Sequence, residues 1–400
     1  ITICEDIWED EPLSKTAEAG AQVILNLNAS PFDSNKSLRR ELLLTRQAAN
    51  NNVAIVYSNL VGGQDELVFD GGSLIVNNQG SIIQKASYFE ESLLTIDASE
   101  LQQESASIIH ETSSPPLNEI SLVHDALVLG IRDYVRKNGF DGAILGLSGG
   151  IDSALVLALP VEALGADKVE VVAMPSRYTS DMSNEDALKQ AVNLGVKHAV
   201  LPIEKPFSAF LELLDDEFDG LEKDVTEENI QARCRGILLM AISNKKRKIL
   251  LTTGNKSEMS VGYATLYGDM AGGFAPIKDC PKLLVYDLAR YCNRNNEVIP
   301  ERVITRPPSA ELRPDQKDTD SLPDYDVLDA ILSMYVEQDC SAREIVDAGF
   351  EKSVVERIIR LVDINEYKRR QAPPGVKITQ RAYGRDRRYP MTNKFRSDIL

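Results

Sequence analysis

The chain has 400 residues, with 44 basic and 61 acidic side chains and a formal net charge of −17. Because an acidic surface of this size repels polyanions, the charge argues against nucleic acid or an anionic membrane as a partner. The five cysteines are scattered without CxxC spacing, and no stretch reaches the ~20 apolar residues that span a bilayer. These features predict a cytoplasmic globular protein with reduced thiols and more than one domain.

Residues 1–100 alternate short apolar runs with one helical pattern near Lys36–Asn51. Gly, Asn and Asp turns separate these runs, which predicts the carboxy-terminal part of an α/β sandwich. The following segment, residues 101–118, is polar and contains Pro115-Pro116, so it is predicted to be a linker. Residues 119–400 are then expected to form a second domain.

The second domain begins with strands and helices in alternation. The patterns predict strands at Ala143–Leu147, Val169–Met174 and Ala199–Ile203, with helices at Glu119–Lys137, Asp152–Leu164 and Asn184–Leu194. Such alternation predicts a doubly wound parallel sheet. The acidic stretch Glu204–Glu228 is interpreted as a solvated, mobile connection. The basic aromatic tail Val376–Leu400 is expected to pack on the acidic body of the protein or on a second subunit.

A glycine-rich loop joins the first strand of this sheet to the next helix. Backbone N–H groups freed by two adjacent glycines, with the positive end of a helix behind them, are suited to binding a pyrophosphate. An aspartate beside a triphosphate is best explained as a magnesium ligand. The plainer alternative is a glycine turn with an Asp N-cap. The residues concerned are Gly146, Leu147, Ser148, Gly149, Gly150, Ile151, Asp152 and Ser153.

This loop lacks the Lys of the Walker pattern, so transfer of a γ-phosphate is not indicated. It resembles the SGGxDS loop of the ATP pyrophosphatases, which cleave ATP between its α and β phosphates to make an adenylated intermediate. Within that superfamily, other motifs must identify the substrate.

Four further segments extend the resemblance: NIQARCR from Asn229, LLTTGNKSE from Leu250, YGDMAGGF from Tyr267 and EYKRR from Glu366. Asn229 and Arg233 stand four residues apart on one helix face. With SGGIDS, these motifs are similar to those of the NAD synthetase family over about Leu117–Arg370. That family amidates deamido-NAD to NAD through an acyl-adenylate, with release of pyrophosphate and AMP.

The resemblance implies a role for each matching residue. The loop Gly146–Ser153 and Thr253 would hold ATP, while Asp152 and Glu258 would hold Mg²⁺. Deamido-NAD would contact Asn229, Arg233, Glu258 and Lys368. The loops at Glu204–Glu228 and Tyr267–Phe274 would exclude water from the intermediate. A homo-oligomer is also expected.

Cys4 follows a strand within the sequence CED. Glutamine-dependent NAD synthetases carry a nitrilase-like amidase whose nucleophile lies in a CED motif, and Ser30 and Lys36 resemble its glutamine-binding pair. The thiolate of Cys4 would attack the glutamine carboxamide and release ammonia. The family also uses a Glu base and a Lys upstream of the nucleophile, whereas only three residues precede Cys4 here. The amidase is therefore expected to be partial, and the chain to make NAD from ammonia but not from glutamine.

Two other interpretations stay open at this point. The chain could be another ATP pyrophosphatase amidoligase, such as a GMP synthetase or a tRNA-modifying ligase, or a non-catalytic protein that binds adenine nucleotides. The nitrilase-like first domain and the YGDMAGGF loop argue against the first. The carboxylates of Asp152 and Glu258 argue against the second, because they indicate metal chemistry.

Overall fold

A computed structural model describes residues 1–102, 110–111, 119–314, 316–320, 322–392 and 394. The chain forms two compact units, Ile1–Asp133 and Tyr134–Leu400. Most of the predicted linker, namely residues 103–109 and 112–118, lies outside the described residues, as do residues 393 and 395–400 of the predicted tail. The placement of the domain boundary stays a prediction. None of the described helices is long and apolar enough to cross a membrane.

The first unit contains a six-stranded sheet and a separate hairpin. The sheet has the strand order β1-β2-β3-β6-β7-β8, and β4 pairs with β5 in the hairpin. The strands are β1 (Thr2–Ile3), β2 (Val23–Asn28), β3 (Ala54–Asn59), β4 (Val61–Gln64), β5 (Leu67–Asp70), β6 (Leu74–Val76), β7 (Ile82–Lys85) and β8 (His110–Glu111). The helices are α1 (Asp10–Glu18), α2 (Lys36–Asn51) and α3 (Glu119–Lys137), and α3 continues into the second unit.

The core of the first unit lies under α1 and α2. Apolar side chains on one face of β2, β3 and β6 pack against Leu13 of α1 and Leu44 of α2, both of which are fully buried. β1, β2 and β3 run parallel, and Asn28 pairs with Asn59 in their register. The carboxyl ends of three strands therefore meet at one edge, where polar residues can converge.

The second unit contains a four-stranded sheet of order β11-β10-β9-β12 in which every pair is parallel. Its strands are β9 (Ala143–Gly146), β10 (Val169–Ala173), β11 (Lys197–Val200) and β12 (Ile249–Leu250). Its first helices are α4 (Ile151–Leu164), α5 (Asp181–Leu194), α6 (Glu204–Leu213), α7 (Val225–Lys246) and α8 (Lys256–Val261). The predicted doubly wound parallel sheet is confirmed, with element ends displaced by a few residues.

The remaining described helices complete the second unit, and those within residues 325–364 form a second core. They are α9 (Lys282–Cys292), α10 (Glu301–Thr305), α11 (Tyr325–Leu332), α12 (Ala342–Asp347), α13 (Lys352–Ile364) and α14 (Glu366–Arg369), and a π-helical turn, Ser333–Glu337, extends α11. The described part of the tail packs on this body. Asp279 accepts hydrogen bonds from the backbone N–H groups of Ile378 (2.9 Å) and Thr379 (2.8 Å), and Arg381 and Arg387 pair with Asp339. The expected packing on acidic groups is thus confirmed for these residues.

The interpretation of Glu204–Glu228 as a mobile connection is wrong at both ends, because Glu204–Leu213 is helical and residues 225–228 begin α7. Phe207, Leu211, Leu214 and Phe218 recur at helical spacing, and all four pack in the core cluster that contains Ile230 of α7. The charge of the segment concealed this apolar stripe. One apolar residue in each turn that packs on the core is enough to hold such a helix in place.

A buried ion pair offers a test of the first unit. Arg40 and Asp70 form two hydrogen bonds of 3.1 and 2.6 Å, and their side chains are 2% and 1% exposed. Asp70→Ala leaves the Arg40 charge buried and unpaired, so we expect the free energy of unfolding to fall by about 3–5 kcal/mol. The matched control is Arg39→Ala, which removes an exposed partner of Asp33 and should cost about 1 kcal/mol or less. Urea denaturation measures the free energy of unfolding of both variants. Equal losses in the two would contradict the conclusion that Arg40 and Asp70 form a buried ion pair.

Candidate active site

The glycine-rich loop of the second unit lies between β9 and α4. Gly149 has φ of +77°, and a Cβ there would stand 2.3 Å from the carbonyl oxygen of Ser183 on α5. Only glycine fits this turn without displacing the backbone. The Ser148 and Ser153 hydroxyl oxygens lie 3.0 Å apart, and Ser153 Oγ donates to the Gly150 carbonyl at 3.0 Å. The hydroxyls of these two loop serines therefore help to fix the shape of the loop.

A cluster of charges lies beside this loop. Asp152 Oδ1 accepts a hydrogen bond from Asn255 Nδ2 at 2.8 Å. The ammonium of Lys282 pairs with the other oxygen of Asp152 and lies 3.5 Å from Glu258 Oε1. The Lys282 side chain is only 1% exposed. A buried cation thus bridges the two carboxylates that were predicted as metal ligands.

The local sequence explains why these groups meet. β12 lies beside β9 in parallel, with Leu250 opposite Ile144. After β12 the chain reaches Asn255, which caps α8 by accepting from the Glu258 backbone N–H at 3.0 Å, and the Glu258 side chain completes a capping box. Parallel neighbours bring the ends of β9 and β12 to one edge of the sheet, so Asp152 and Glu258 approach one another.

Burial and charge shift the titration of this cluster. Burial raises the pKa of the Glu258 carboxyl to about 8, and the Asp152 carboxylate adds to the rise while Lys282 opposes it. For Lys282, burial disfavours the ammonium form, but Asp152 and Glu258 outweigh that effect and raise its pKa. Glu258 is therefore poised to hold a proton until a further cation arrives.

Asp152 and Glu258 fit a magnesium ion as a pair of carboxylate donors. Among the described residues, no group of three or more His, Cys, Asp or Glu side chains could hold a metal ion. Mg²⁺ commonly takes one or two protein carboxylates and completes its oxygen ligands with substrate phosphates and water. The donor set is thus suited to an ion that arrives with a nucleotide.

A cavity of about 50 Å³ opens beside Glu258, and Thr253 and Asp269 line it. Burial raises the pKa of the Asp269 carboxyl to about 6, although the Thr265 N–H, which donates at 2.7 Å, opposes the rise. Lys368 Nζ donates to the carbonyl oxygens of Gly262 (2.7 Å) and Ala264 (2.8 Å). Burial lowers the pKa of Lys368, and Asp269 opposes this shift. The Lys368 ammonium therefore holds the rim of the cavity.

The two predicted ligand residues on α7 face the same rim. Asn229 Oδ1 accepts from Thr265 Oγ1 at 2.7 Å, and Arg233 Nε donates to the Leu266 carbonyl at 3.3 Å. Their helical spacing is confirmed. The loop that they contact continues into Tyr267–Phe274, which contains no regular helix or strand.

The first unit gathers its candidate residues at the carboxyl ends of its parallel strands. Cys4 follows β1 in a 3₁₀ turn, Cys4–Ile7, with φ of +51°, and Asn28 Nδ2 donates to its carbonyl at 3.1 Å. Ser30 is buried, and its N–H donates to Asn59 Oδ1 at 2.8 Å. Lys36 Nζ lies 5.8 Å from the centre of the Trp8 ring. A non-glycine residue at positive φ often marks a functional turn.

Both units of the chain match known protein families. A family model described as NAD synthase matches residues 123–372, and one described as carbon-nitrogen hydrolase matches residues 1–104. The glutamine-dependent NAD(+) synthetase of Acinetobacter baylyi is 51% identical over 400 residues, which cover 100% of this chain and 73% of that protein. The chain belongs to the glutamine-dependent NAD(+) synthetase family.

Solved structures of this family are similar to the chain in fold. The glutamine-dependent NAD+ synthetase of Acinetobacter baumannii, in complex with ADP, is 46% identical with a TM-score of 0.73, and the match covers 97% of this chain and 71% of that one. The enzyme of Cytophaga hutchinsonii, at 24% identity, shares the fold with a TM-score of 0.83 over 98% of this chain and 71% of its own. The nitrilase-like and NAD synthetase folds predicted from the sequence are confirmed.

Sequence reasoning about this synthetase missed Lys282 and Asn255, the two partners of Asp152. Asn255 carries a signal, because Asn followed three residues later by Glu is the pattern of a capping box. Lys282 carries none. It lies 130 residues from Asp152 along the chain, and a single Lys at the start of a helix ordinarily faces solvent.

The raised pKa of Glu258 predicts how stability depends on pH. The carboxyl has a pKa of about 8 in the folded protein and ~4.3 when unfolded, so its contribution to stability is complete below the unfolded value and is lost as the pH rises through the folded one. We expect Glu258→Gln, which preserves the capping box, to raise the Tm of the metal-free protein more at about pH 8 than at about pH 5. Differential scanning calorimetry at both pH values measures this. Exposed Glu356 of α13 provides the control Glu356→Gln, and a pH-independent change in Glu258→Gln would refute the prediction.

Proposed function

We propose that the described charge cluster is the adenylation site of this NAD synthetase. The chain catalyses the ATP-dependent amidation of deamido-NAD to NAD, with release of AMP and pyrophosphate. The observation that supports the assignment of the site is the convergence of Asp152, Glu258 and Lys282 beside the glycine loop, next to a cavity lined by Thr253. Such a site combines cations and N–H donors for phosphates with carboxylates for a metal ion.

The first chemical step would join the two substrates. A carboxylate oxygen of the nicotinate group attacks the α-phosphorus of ATP, a new P–O bond forms and pyrophosphate leaves. The N–H groups of the loop Gly146–Ser153 and the positive end of α4 would stabilise the negative charge on the phosphates. Lys282 would add a buried positive charge beside Asp152.

The second step would consume ammonia. Its nitrogen attacks the acyl carbon of the adenylate, the bond to the phosphate oxygen breaks, and NAD, AMP and one proton are formed. Water would compete for the same carbon, so the site must exclude it. We assign that role to the Tyr267–Phe274 loop, which is held to Asn229 and Arg233 of α7 through residues 265–266.

Substrate binding would divide between the two sides of the cavity. The loop Gly146–Ser153 and Thr253 would hold ATP. Asn229, Arg233, Glu258 and Lys368 would contact deamido-NAD. Mg²⁺ would be held by Asp152 and Glu258, where it would neutralise phosphate charge. The ammonium of Lys368 donates to two backbone carbonyls, so it would shape the rim of the cavity as well as contact deamido-NAD.

The first unit would supply ammonia from glutamine. The thiol of Cys4 gives up its proton and attacks the carboxamide carbon, the C–N bond breaks, and the nitrogen takes up that proton and leaves as ammonia. The thioester that forms is then hydrolysed by water to glutamate, which returns the thiol. Ser30 and Lys36 would bind the glutamine. Residues 1–100 would form the amidase and residues 119–400 the synthetase, with the linker between them. The homo-oligomeric state and the cytoplasmic location remain predictions from the sequence.

A substrate screen tests the synthetase assignment directly. The parent chain, supplied with ATP, Mg²⁺ and ammonium chloride, should release AMP with deamido-NAD and not with the carboxylate acceptors of other ATP pyrophosphatases. Asp152→Asn should lower that rate by at least about a hundredfold, because an amide is a poor Mg²⁺ ligand.

The matched control is Asp141→Asn, an exposed aspartate near β9 that pairs only loosely with Arg247 at 3.6 Å. Its rate should stay within about twofold of the parent. AMP formation by Asp152→Asn within a factor of a few of the parent would rule out the metal-binding role. Circular dichroism spectra of both variants show whether the fold is intact.

The nitrogen source tests the role of Cys4. Cys4→Ala should remove whatever glutamine-supported rate the parent chain shows and keep the ammonium-supported rate within about twofold, because the thiol serves only glutamine hydrolysis. Cys340→Ala, at a half-buried cysteine of the second unit, is the control and should change neither rate. Parallel assays of glutamate and NAD formation measure both activities. Where the parent chain produces glutamate, an unchanged rate of glutamate production in Cys4→Ala would exclude Cys4 as the nucleophile.

A further inference from the structure

A guanidinium group reaches the glycine loop from a distant part of the chain. Arg306 Nη2 donates a hydrogen bond of 2.7 Å to the carbonyl oxygen of Gly149, 157 residues earlier. The side chain is only partly exposed. Of the five N–H donors of an Arg side chain, this contact uses one. No ion pair of Arg306 occurs within the part of the chain that the structure describes.

The position of Arg306 is fixed from both sides. It follows α10, whose last turn it closes by donating its N–H to the Arg302 carbonyl at 3.1 Å. Arg302 itself binds both carboxylate oxygens of Asp186 on α5, at 2.9 to 3.1 Å. Pro307 and Pro308 come next and restrict the backbone. Arg306 is therefore delivered to the loop by anchored elements and not by a free surface chain.

The phosphates of ATP would require another cation at this site besides Lys282. A triphosphate carries several negative charges, and the chain as a whole has a net charge of −17. Lys282 is already shared by Asp152 and Glu258. Arg306 has unused donors at the loop, and a planar guanidinium is suited to bidentate binding of phosphate oxygens.

The two cations lie on opposite sides of the loop. Gly149 packs against Ser183 of α5, which follows β10, whereas Asp152 faces Asn255 and Lys282 beside β12. β10 and β12 flank β9 in the sheet. The acceptor carboxylate must react at the α-phosphorus near the cavity beside Glu258. The terminal phosphates would then extend toward the α5 side, where Arg306 lies.

We infer that Arg306 binds the β and γ phosphates of ATP and holds the pyrophosphate as it leaves. This inference rests on the proposed adenylation site. Arg306 lies outside the predicted motifs. In this role it contacts phosphate in addition to its structural hydrogen bond to Gly149.

Binding measurements test the inference without the complete reaction. Isothermal titration calorimetry with ATP, pyrophosphate and AMP, each with Mg²⁺, compares the parent with Arg306→Gln and Arg306→Lys. We expect Arg306→Gln to weaken the affinity for ATP and for pyrophosphate by at least about tenfold. The affinity for AMP should fall by less than about twofold, because AMP lacks both terminal phosphates. Arg306→Lys keeps the charge and should weaken ATP less than Arg306→Gln does.

The matched control is Arg313→Gln, because Arg313 lies in the same segment but pairs with Glu228 and Asp320 at the surface. Its three affinities should stay within about twofold of the parent. Equal weakening of ATP and AMP by Arg306→Gln, or an unchanged ATP affinity, would overturn the inference. If Arg306→Gln fails to fold, the same comparison of ATP with AMP in Arg306→Lys decides the question.

The test of the Arg306 role and the test of the proposed reaction can fail independently of each other. A parent chain that binds ATP but releases no AMP with deamido-NAD would refute the proposed reaction and leave the role of Arg306 to the binding data. A parent that makes AMP, together with an Arg306→Gln variant that binds pyrophosphate normally, would refute only the role of Arg306. In the active enzyme, Arg306→Gln should also raise the KM for ATP by about tenfold and leave that for deamido-NAD within about twofold.

Discussion

The contact on which the synthetase site depends is the buried ammonium of Lys282 between Asp152 and Glu258. Without a cation there, two carboxylates would be forced together in a largely buried place, and the pKa of Glu258 would be raised further, because the Lys282 ammonium is the charge that opposes the rise. With Lys282 present, the first turn of α4, the first turn of α8 and the start of α9 are joined at one point. A triphosphate with Mg²⁺ would enter a site whose carboxylates are already held in position, which lowers the cost of ordering them during binding.

The same principle recurs in the first unit with a different set of groups. The Arg40–Asp70 pair is buried, and Asp70 Oδ1 accepts from Asn59 Nδ2 at 3.0 Å while Asn59 Oδ1 receives the Ser30 N–H. A chain of hydrogen bonds thus runs from a charge pair to the proposed glutamine-binding residue. Buried networks of this kind position a backbone well because each unsatisfied member would be costly. Asn28, the register partner of Asn59, supports the Cys4 turn in the same manner.

The sequence was most informative where the chemistry requires particular residues at short spacing. The SGGIDS loop predicted a strand, a glycine turn and a helix, and the structure has all three, because the positive φ of Gly149 and the closeness of Ser183 leave little alternative. The sequence was least informative at Glu204–Leu213. There the acidic residues suggested a solvated connection, and only packing against α7 shows that Phe207 and Leu211 hold a helix in place. Four apolar residues at helical spacing among many charged ones are a weak sequence signal for a helix, because the core on which they pack is not visible in the sequence.

By itself, the sequence determined the two folds, the family and the residues that lie within contiguous motifs, since local spacing dictates which strand, turn and helix those residues form. It could not determine the partners that come from distant segments. Lys282 and Arg306 reach the glycine loop across 130 and 157 residues, and neither stands in a pattern that indicates a ligand. Only the tertiary structure decided their positions. The parallel sheet brings the strand ends to one edge. Burial there requires the Lys282 ammonium to find a carboxylate partner, whatever its distance along the chain, while the anchored end of α10 brings Arg306 to the Gly149 carbonyl.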